Sequence, residues 1–358
     1  MPDITRRQFT IAASLTPLAT FPSIARGAAV DKIKVGQIGV THAHASGKIQ
    51  AMRKLSKTFD VVGLADTNLD RAKKAVTGGS YRGLKPMTIE QLLNVPGLQA
   101  VAVETDIDDL VPTAIACISA GMHVHLDKPA GQSLPAFKKL CDLADRKKRT
   151  IQMGYMLRYN PAFELLFKAV RENWLGEIYE LDAMMGKLAS SSLRKQLGKY
   201  PGGGMFELAC HVVDAAVTVL GPPTKVTPFI KRTKQPANSF ADNQLVVLSY
   251  PKATATIRCN HADPFGFPRR RFQVAGSAGA LEVKPLESGQ VELSLAQVKG
   301  EYKKGTQQLK LARKGGRYDG EFADLARVIR GEKELAWNRK HDLAVHETVL
   351  RACEMSLD

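Results

Sequence analysis

Cysteine is scarce in this chain. There are five in 358 residues, at positions 117, 141, 210, 259 and 353, and none falls at metal-ligand spacing. An odd, scattered set excludes a C-x-x-C zinc site and argues against a disulfide framework, so the cysteines read as small buried hydrophobes. Aromatic residues are also few, at 6%, and none interleaves with basic residues along a strand in the manner of a nucleic-acid reader. Acidic residues are outnumbered, 35 against 51 Lys and Arg, for a formal charge of +16. The basic residues are dispersed, apart from short clusters such as "KRTK" (231–234) and "PRRR" (268–271). That pattern reads as a solvated basic surface, and no nucleic-acid partner is expected. Beyond the N-terminus, no apolar run is long enough to span a membrane.

The N-terminus has its own character. "TRRQFTIAASLTPLATFPSIARGAA" places Arg6 and Arg7 ahead of a mildly apolar stretch that ends in small residues. This order reads as a twin-arginine export signal over residues 1–29. The expected partner is the twin-arginine machinery, and the expected location is periplasmic or otherwise exported, with no stable membrane insertion after processing. Export of a folded chain suits an enzyme that is loaded with its cofactor beforehand.

From residue 30 to about 150, apolar runs of four to six residues alternate with helical patterns: "KIKVGQIGV", "DVVGLAD", "LQAVAVET" and "MHVHLDKP" are the strands. Such runs argue a parallel sheet covered on both faces, the doubly wound architecture, whose ligands bind at the carboxyl ends of the strands. From 151 to 358 strand follows strand with little helix between, as in "NQLVVLSYP", "TATIRCNHA" and "RRFQVAGSAGALEV". The fold class is therefore α/β: an N-terminal Rossmann domain (30–150), then an α+β domain (151–358) with a largely antiparallel open sheet.

What the first strand lacks is glycine. After Gly39, a G-x-G-x-x-G fingerprint would place glycine where Thr41 and His44 stand. The second glycine normally lets the pyrophosphate approach the backbone, and the third lets helix and strand pack closely. Gly39, Val40, Thr41 and His42 are read as an altered but usable phosphate loop, with His42 and His44 as added donors at a helix N-terminus. The alternative makes His42 and His44, with His125, ligands of a metal ion; the expected metal count is none. Asp66 ends the second strand, 27 residues past Gly39, where a carboxylate accepts from ribose hydroxyls. No arginine follows it at once, which favours NAD over NADP.

Two further segments carry chemistry. "HVHLDKPAG" puts Asp127 and Lys128 just past the fourth strand, where a lysine can bond a substrate hydroxyl. In "PGGGMFELACHVVD", a helix from Met205 would set Glu207, His211 and Asp214 on one face, an acid/base dyad with an orienting carboxylate. A buried, hydrogen-bonded histidine is the plainer reading of the same pattern.

Together, "VGLAD", "AGMHVHLDKPAG", "GYMLRYNPAF", "GGGMFELACHVVD" and "VAGSAGALEV" resemble the Gfo/Idh/MocA family of sugar and polyol oxidoreductases, over nearly all the chain after the signal. The resemblance implies hydride exchange between a bound nicotinamide cofactor and a sugar or cyclitol carbon, and a homodimer or homotetramer built on the open sheet. It implies that Lys128 and His211 are catalytic, with Glu207 where the family usually has aspartate and Asp127 in place of the usual glutamate on the cofactor side. Tyr155, Arg158 and Asn160 fall in the segment that lines the family's cleft, and Asp214 joins them as a substrate-side residue. Thr105 opens "TDIDDL", where the family's T-P-N-x-x-H has lost its proline, asparagine and histidine. For an exported enzyme without a nucleotide pool, the cofactor is expected to be tightly held and recycled. A metal-dependent lyase, hydrolase or isomerase of keto sugars, or an NAD-retaining glycosidase, is the alternative on the same fold.

Overall fold

The computed structural model describes residues 31–233 and 240–358. The expected export signal lies outside the described residues.

The first half is built on six parallel strands: β1 (Ile33–Ile38), β2 (Phe59–Ala65), β3 (Pro86–Met87), β4 (Leu98–Val103), β5 (His123–Leu126) and β6 (Ile151–Met153). Their order is β3-β2-β1-β4-β5-β6. The order reverses between β1 and β4, and the crevice at their carboxyl ends is the switch point where doubly wound sheets bind ligands. Connecting helices are α1 (Ala45–Lys54), α2 (Leu69–Ala75), α3 (Ile89–Leu93), α4 (Ile107–Ser119) and α5 (Leu134–Lys147). Asn68, Thr88 and Ser133 cap α2, α3 and α5 through their side chains, but α1 has no side-chain cap and no acidic residue in its first turn. Its N-terminus therefore keeps an uncompensated positive dipole end.

The second half opens with α6 (Pro161–Arg171), β7 (Ile178–Gly186) and α7 (Ser191–Leu197), then a π turn at Met205–Ala209 runs into α8 (Cys210–Leu220). The strands β8 (Lys225–Lys231), β9 (Asn243–Ser249), β10 (Thr254–Asn260), β11 (Arg271–Gly276), β12 (Gly279–Val283), β13 (Gln290–Leu295) and β14 (Gly305–Lys310) follow, and α9 (Asp319–Ile329) and α10 (Arg339–Ala352) complete the described elements. The eight strands order as β14-β13-β12-β11-β7-β10-β9-β8, antiparallel except for the β7–β10 pair. In β9 and β11 every second residue is buried, so one face packs inward and the other stays open. Tyr179 and Phe229 are large apolar side chains exposed in this domain.

The fold class read from the sequence is the one observed. Two strands, β3 and β6, are too short to leave a periodic signal and form because β2 and β5 offer them an edge. Since β6 belongs to the parallel sheet, that sheet runs just past the expected boundary at 150. All five cysteines are free and buried. Among the described residues no helix is long and apolar enough to cross a membrane.

The two halves are tied unequally at the cleft's edges. The segment from Gly316 to Glu321 lies over α1. Lys48 Nζ donates to Glu321 Oε2 at 2.5 Å with both side chains fully buried. A Cβ on Gly47 would meet the Tyr318 ring at 2.4 Å, so only glycine permits this contact. Elsewhere Lys199, past α7, meets Asp108 of α4 at 3.7 Å with both side chains about half exposed.

Candidate active site

Lys128 follows β5 and is buried, 1% exposed. Its Nζ donates to the Glu207 backbone carbonyl at 2.6 Å and lies 3.4 Å from the Glu207 carboxylate. The first contact falls within the π turn. In an α-helix the Glu207 carbonyl would accept from the amide four residues on; here it accepts from Lys128 Nζ and from Cys210 Sγ at 3.4 Å. Lys187, just past β7, approaches the other Glu207 oxygen at 3.8 Å. Burial alone would push the Glu207 carboxyl up, but Lys128 and Lys187 outweigh it and hold it at about 2. Burial likewise works against the Lys128 charge, and Glu207 more than restores it, so the ammonium is held above its ordinary range.

His211 starts α8 beside this pair and is also 1% exposed. Burial, then the Lys128 charge, keeps its pKa well below the usual imidazole value. The Tyr155 and His44 rings pack around it, with centroids 6.0 and 5.9 Å away, and its Nδ1 has no hydrogen-bond partner. A fixed ammonium, a fixed carboxylate and a neutral imidazole therefore meet at the carboxyl edge of the parallel sheet. Such a set can hold a substrate oxygen and move its proton.

The loop after β1 is arranged differently. Gly39 adopts φ +98°, and a Cβ there would fall 2.5 Å from the Glu104 carbonyl, so this glycine is required. The Val40 amide donates to Asp66 Oδ2 at 3.2 Å. His42 and His44 turn toward the residues after β5. His42 Nε2 meets the Lys128 carbonyl at 3.1 Å, and its Nδ1 faces Asp127 Oδ2 at 3.0 Å. His44 Nδ1 lies 3.0 Å from the same oxygen. Burial lowers the His44 pKa to about 4 despite the opposing Asp127 carboxylate.

Residues 33–155 match the oxidoreductase family with an NAD-binding Rossmann fold, and residues 163–282 match the GFO/IDH/MocA C-terminal domain. The chain belongs to the Gfo/Idh/MocA family. An uncharacterized oxidoreductase of Rhizobium meliloti is 29% identical over 195 residues, 52% of this chain and 56% of that protein. The scyllo-inositol 2-dehydrogenase (NADP(+)) of Bacillus subtilis is 24% identical over 190 residues, 52% of each. The chain thus spans about half the length of the curated relatives it matches. The fold likeness reaches further: the UDP-N-acetylglucosamine 3-dehydrogenase of Acidithiobacillus ferrooxidans superposes with a TM-score of 0.74 over 91% of this chain and 98% of that one, at 18% identity.

Against the pattern of the Gfo/Idh/MocA family, several expected residues sit elsewhere. Asp214 does not join Glu207 and His211. It is fully buried, accepts from Arg158 Nη2 at 2.7 Å and faces His341 Nε2 at 3.1 Å. Arg158 also donates to Asp342 at 2.5 Å, so its guanidinium is held inside the core rather than offered to substrate. Asn160 accepts from the Ala162 amide at 2.9 Å and caps α6. Thr105 is buried beside Gly39, its hydroxyl donating to the Asp106 carbonyl at 3.1 Å. Thr41 is half-buried on the loop. Asp127 turns to the imidazoles, and its Oδ1 accepts from the Lys128 amide at 2.7 Å. His125 is apart from His42 and His44; it pairs with Lys48 and Gln152 at 3.0 and 2.9 Å.

Sequence reading missed Arg71, Lys187 and Glu104. Arg71 sits on α2, five residues past Asp66, and donates to Asp66 Oδ1 through Nε and Nη2 at 2.9 and 2.6 Å. The preference for NAD rested on no arginine following Asp66 directly, and one helical turn brings this one back. The domain is NAD(P)-binding.

Proposed function

We propose that this chain is an exported NAD(P)-dependent oxidoreductase that acts on a carbinol carbon of a sugar, sugar acid, cyclitol or glycoside. The meeting of Lys128, Glu207 and His211 carries this reading. The loop fits the adenosine end of a dinucleotide: Gly39 keeps the tight turn after β1, Asp66 is buried at the end of β2, and the α1 terminus is uncapped. When bound, the nicotinamide supplies a site that takes or returns hydride at C4. The Lys128 ammonium bonds the substrate oxygen and stabilises the negative charge that develops there. His211, neutral at working pH, takes the hydroxyl proton during oxidation and returns it during reduction. Glu207 keeps Lys128 charged and fixes its direction. It acts as a positioning residue unless the substrate reaches it.

Arg6 and Arg7 support export in the folded state, and export supports a retained cofactor regenerated within each cycle. The half-open eight-stranded sheet, with Tyr179 and Phe229 exposed, supports a homodimer or homotetramer. The test is to release nucleotide from untreated protein and to follow reduced nicotinamide absorbance on adding a panel of sugars and polyols. Bound nucleotide that one of these sugars reduces is the expected result. Protein that purifies without nucleotide, and neither binds nor reduces added NAD or NADP, overturns the proposal.

A further inference from the structure

We infer that His42, His44 and Asp127 form a site for one divalent transition-metal ion at the mouth of the edited glycine loop. Among the described residues this is the one group of three metal-ligating side chains so arranged, its donor atoms all within 4.8 Å of one another. Both imidazole Nδ1 atoms stand 3.0 Å from Asp127 Oδ2. That is about the separation of ligand atoms sharing one ion at metal–ligand distances of roughly 2.0–2.2 Å.

The tautomer of His42 strengthens the assignment. Its Nε2 meets a backbone carbonyl, which only an N–H can do favourably, and its Nδ1 accepts from the His44 amide at 3.3 Å. In the neutral ring that Nδ1 lone pair, which receives the His44 amide, also stands 3.0 Å from a carboxylate oxygen, so two acceptors lie side by side. A cation between them resolves the conflict. The Nε2 contact to the Lys128 carbonyl is the outer-shell bond that orients a ligating histidine.

A second, independent observation points the same way. Glu104 is fully buried, and neither of its carboxylate oxygens has a hydrogen-bond partner. Its Oε2 lies 3.7 Å from His42 Nδ1. Two buried carboxylates converge on the cluster, and positive charge placed there satisfies both. Two nitrogens and a carboxylate suit Zn²⁺ and its first-row neighbours better than Mg²⁺ or Ca²⁺. Three protein ligands leave such an ion able to take an exogenous oxygen, on the side of the cleft that His211 shares with His44.

This inference is independent of the oxidoreductase proposal. The full chain is purified without a histidine tag, and metal and nucleotide are measured in the same sample. It is then stripped with chelator and titrated with Zn²⁺ by calorimetry and with Co²⁺ by visible absorption. Expected are about one ion per chain and a Co²⁺ spectrum of mixed nitrogen and oxygen ligation. His44→Gln is expected to weaken Zn²⁺ binding by more than about 100-fold, beyond the ~10–100-fold cost of losing an outer-shell partner. If that variant does not fold, the Co²⁺ spectrum of the natural chain decides alone. Zn²⁺ bound no tighter by the natural chain than by His44→Gln, or a Co²⁺ spectrum of the free aquo ion, overturns the site. Nucleotide found without metal removes this inference and leaves the oxidoreductase reading standing.

Discussion

Asp127 and Lys128 are neighbours in the chain, yet they serve opposite sides of the cleft. Asp127 turns toward the loop after β1 and gathers two imidazoles. Lys128 turns toward the second domain and gathers a carboxylate and a π-turn carbonyl. The strand end allows this because successive residues point to opposite sides. The lesson is that one strand terminus builds two environments, one of imidazoles gathered on a carboxylate and one of a lysine paired with Glu207.

Substitutions at the two positions should separate cleanly. Lys128→Met should lower turnover by about 10²–10⁴-fold while leaving metal content unchanged, as read by steady-state kinetics and elemental analysis. It also strands a buried Glu207 carboxylate, so unfolding in urea should shift by roughly 3–5 kcal/mol. His211→Asn should lower turnover by about 10²-fold with little change in urea midpoint, since the His211 ring makes no hydrogen bond through Nδ1. Turnover equal to the parent in either variant would remove that residue from the chemistry.

Acid sharpens the contrast further. Burial lowers the pKa of His123, His125, His261 and His346 to between about 3 and 4, and that of His211 well below its usual value. Each is depressed in the fold, so the unfolded chain binds protons that the native chain refuses. Stability should be full above about pH 6.5 and fall as pH drops toward 4, by up to about 1.4 kcal/mol per pH unit for each histidine. Thermal unfolding from pH 8 to 4 measures this, and a flat profile would show that these rings titrate normally. Arg71→Ala should have the smallest effect. Its pair with Asp66 is half exposed on the arginine side and is worth under about 1 kcal/mol. The variant should lose affinity for NADP relative to NAD by about tenfold, as read by paired titrations, through loss of one phosphate contact.

How much of this was legible beforehand follows the length of each signal. The alternating half and the strand-rich half are readable because their apolar runs are long. The strands β3 and β6 are not, because pairing rather than pattern makes them. Lys128, Glu207 and His211 were legible as motif positions, but the π turn that relates them was not, since nothing in "MFELA" marks five residues for the wider spiral. Asp214 left the group because Arg158 and His341 hold it, partners that lie far from it in the chain. His44 drew notice at a missing glycine position and His42 as a second loop histidine, yet their third partner is Asp127, beyond β5, a contact that the parallel sheet brings about.

The strap from Gly316 to Glu321 makes the cleft a clamp with one stiff arm. Parting that seam would separate Lys48 from Glu321 in a dry interior, at roughly 3–5 kcal/mol. The Lys199–Asp108 latch is half exposed, and unfastening it costs about 1 kcal/mol or less. If the cleft opens, the cheaper side to part is the latch, with the strap as the pivot.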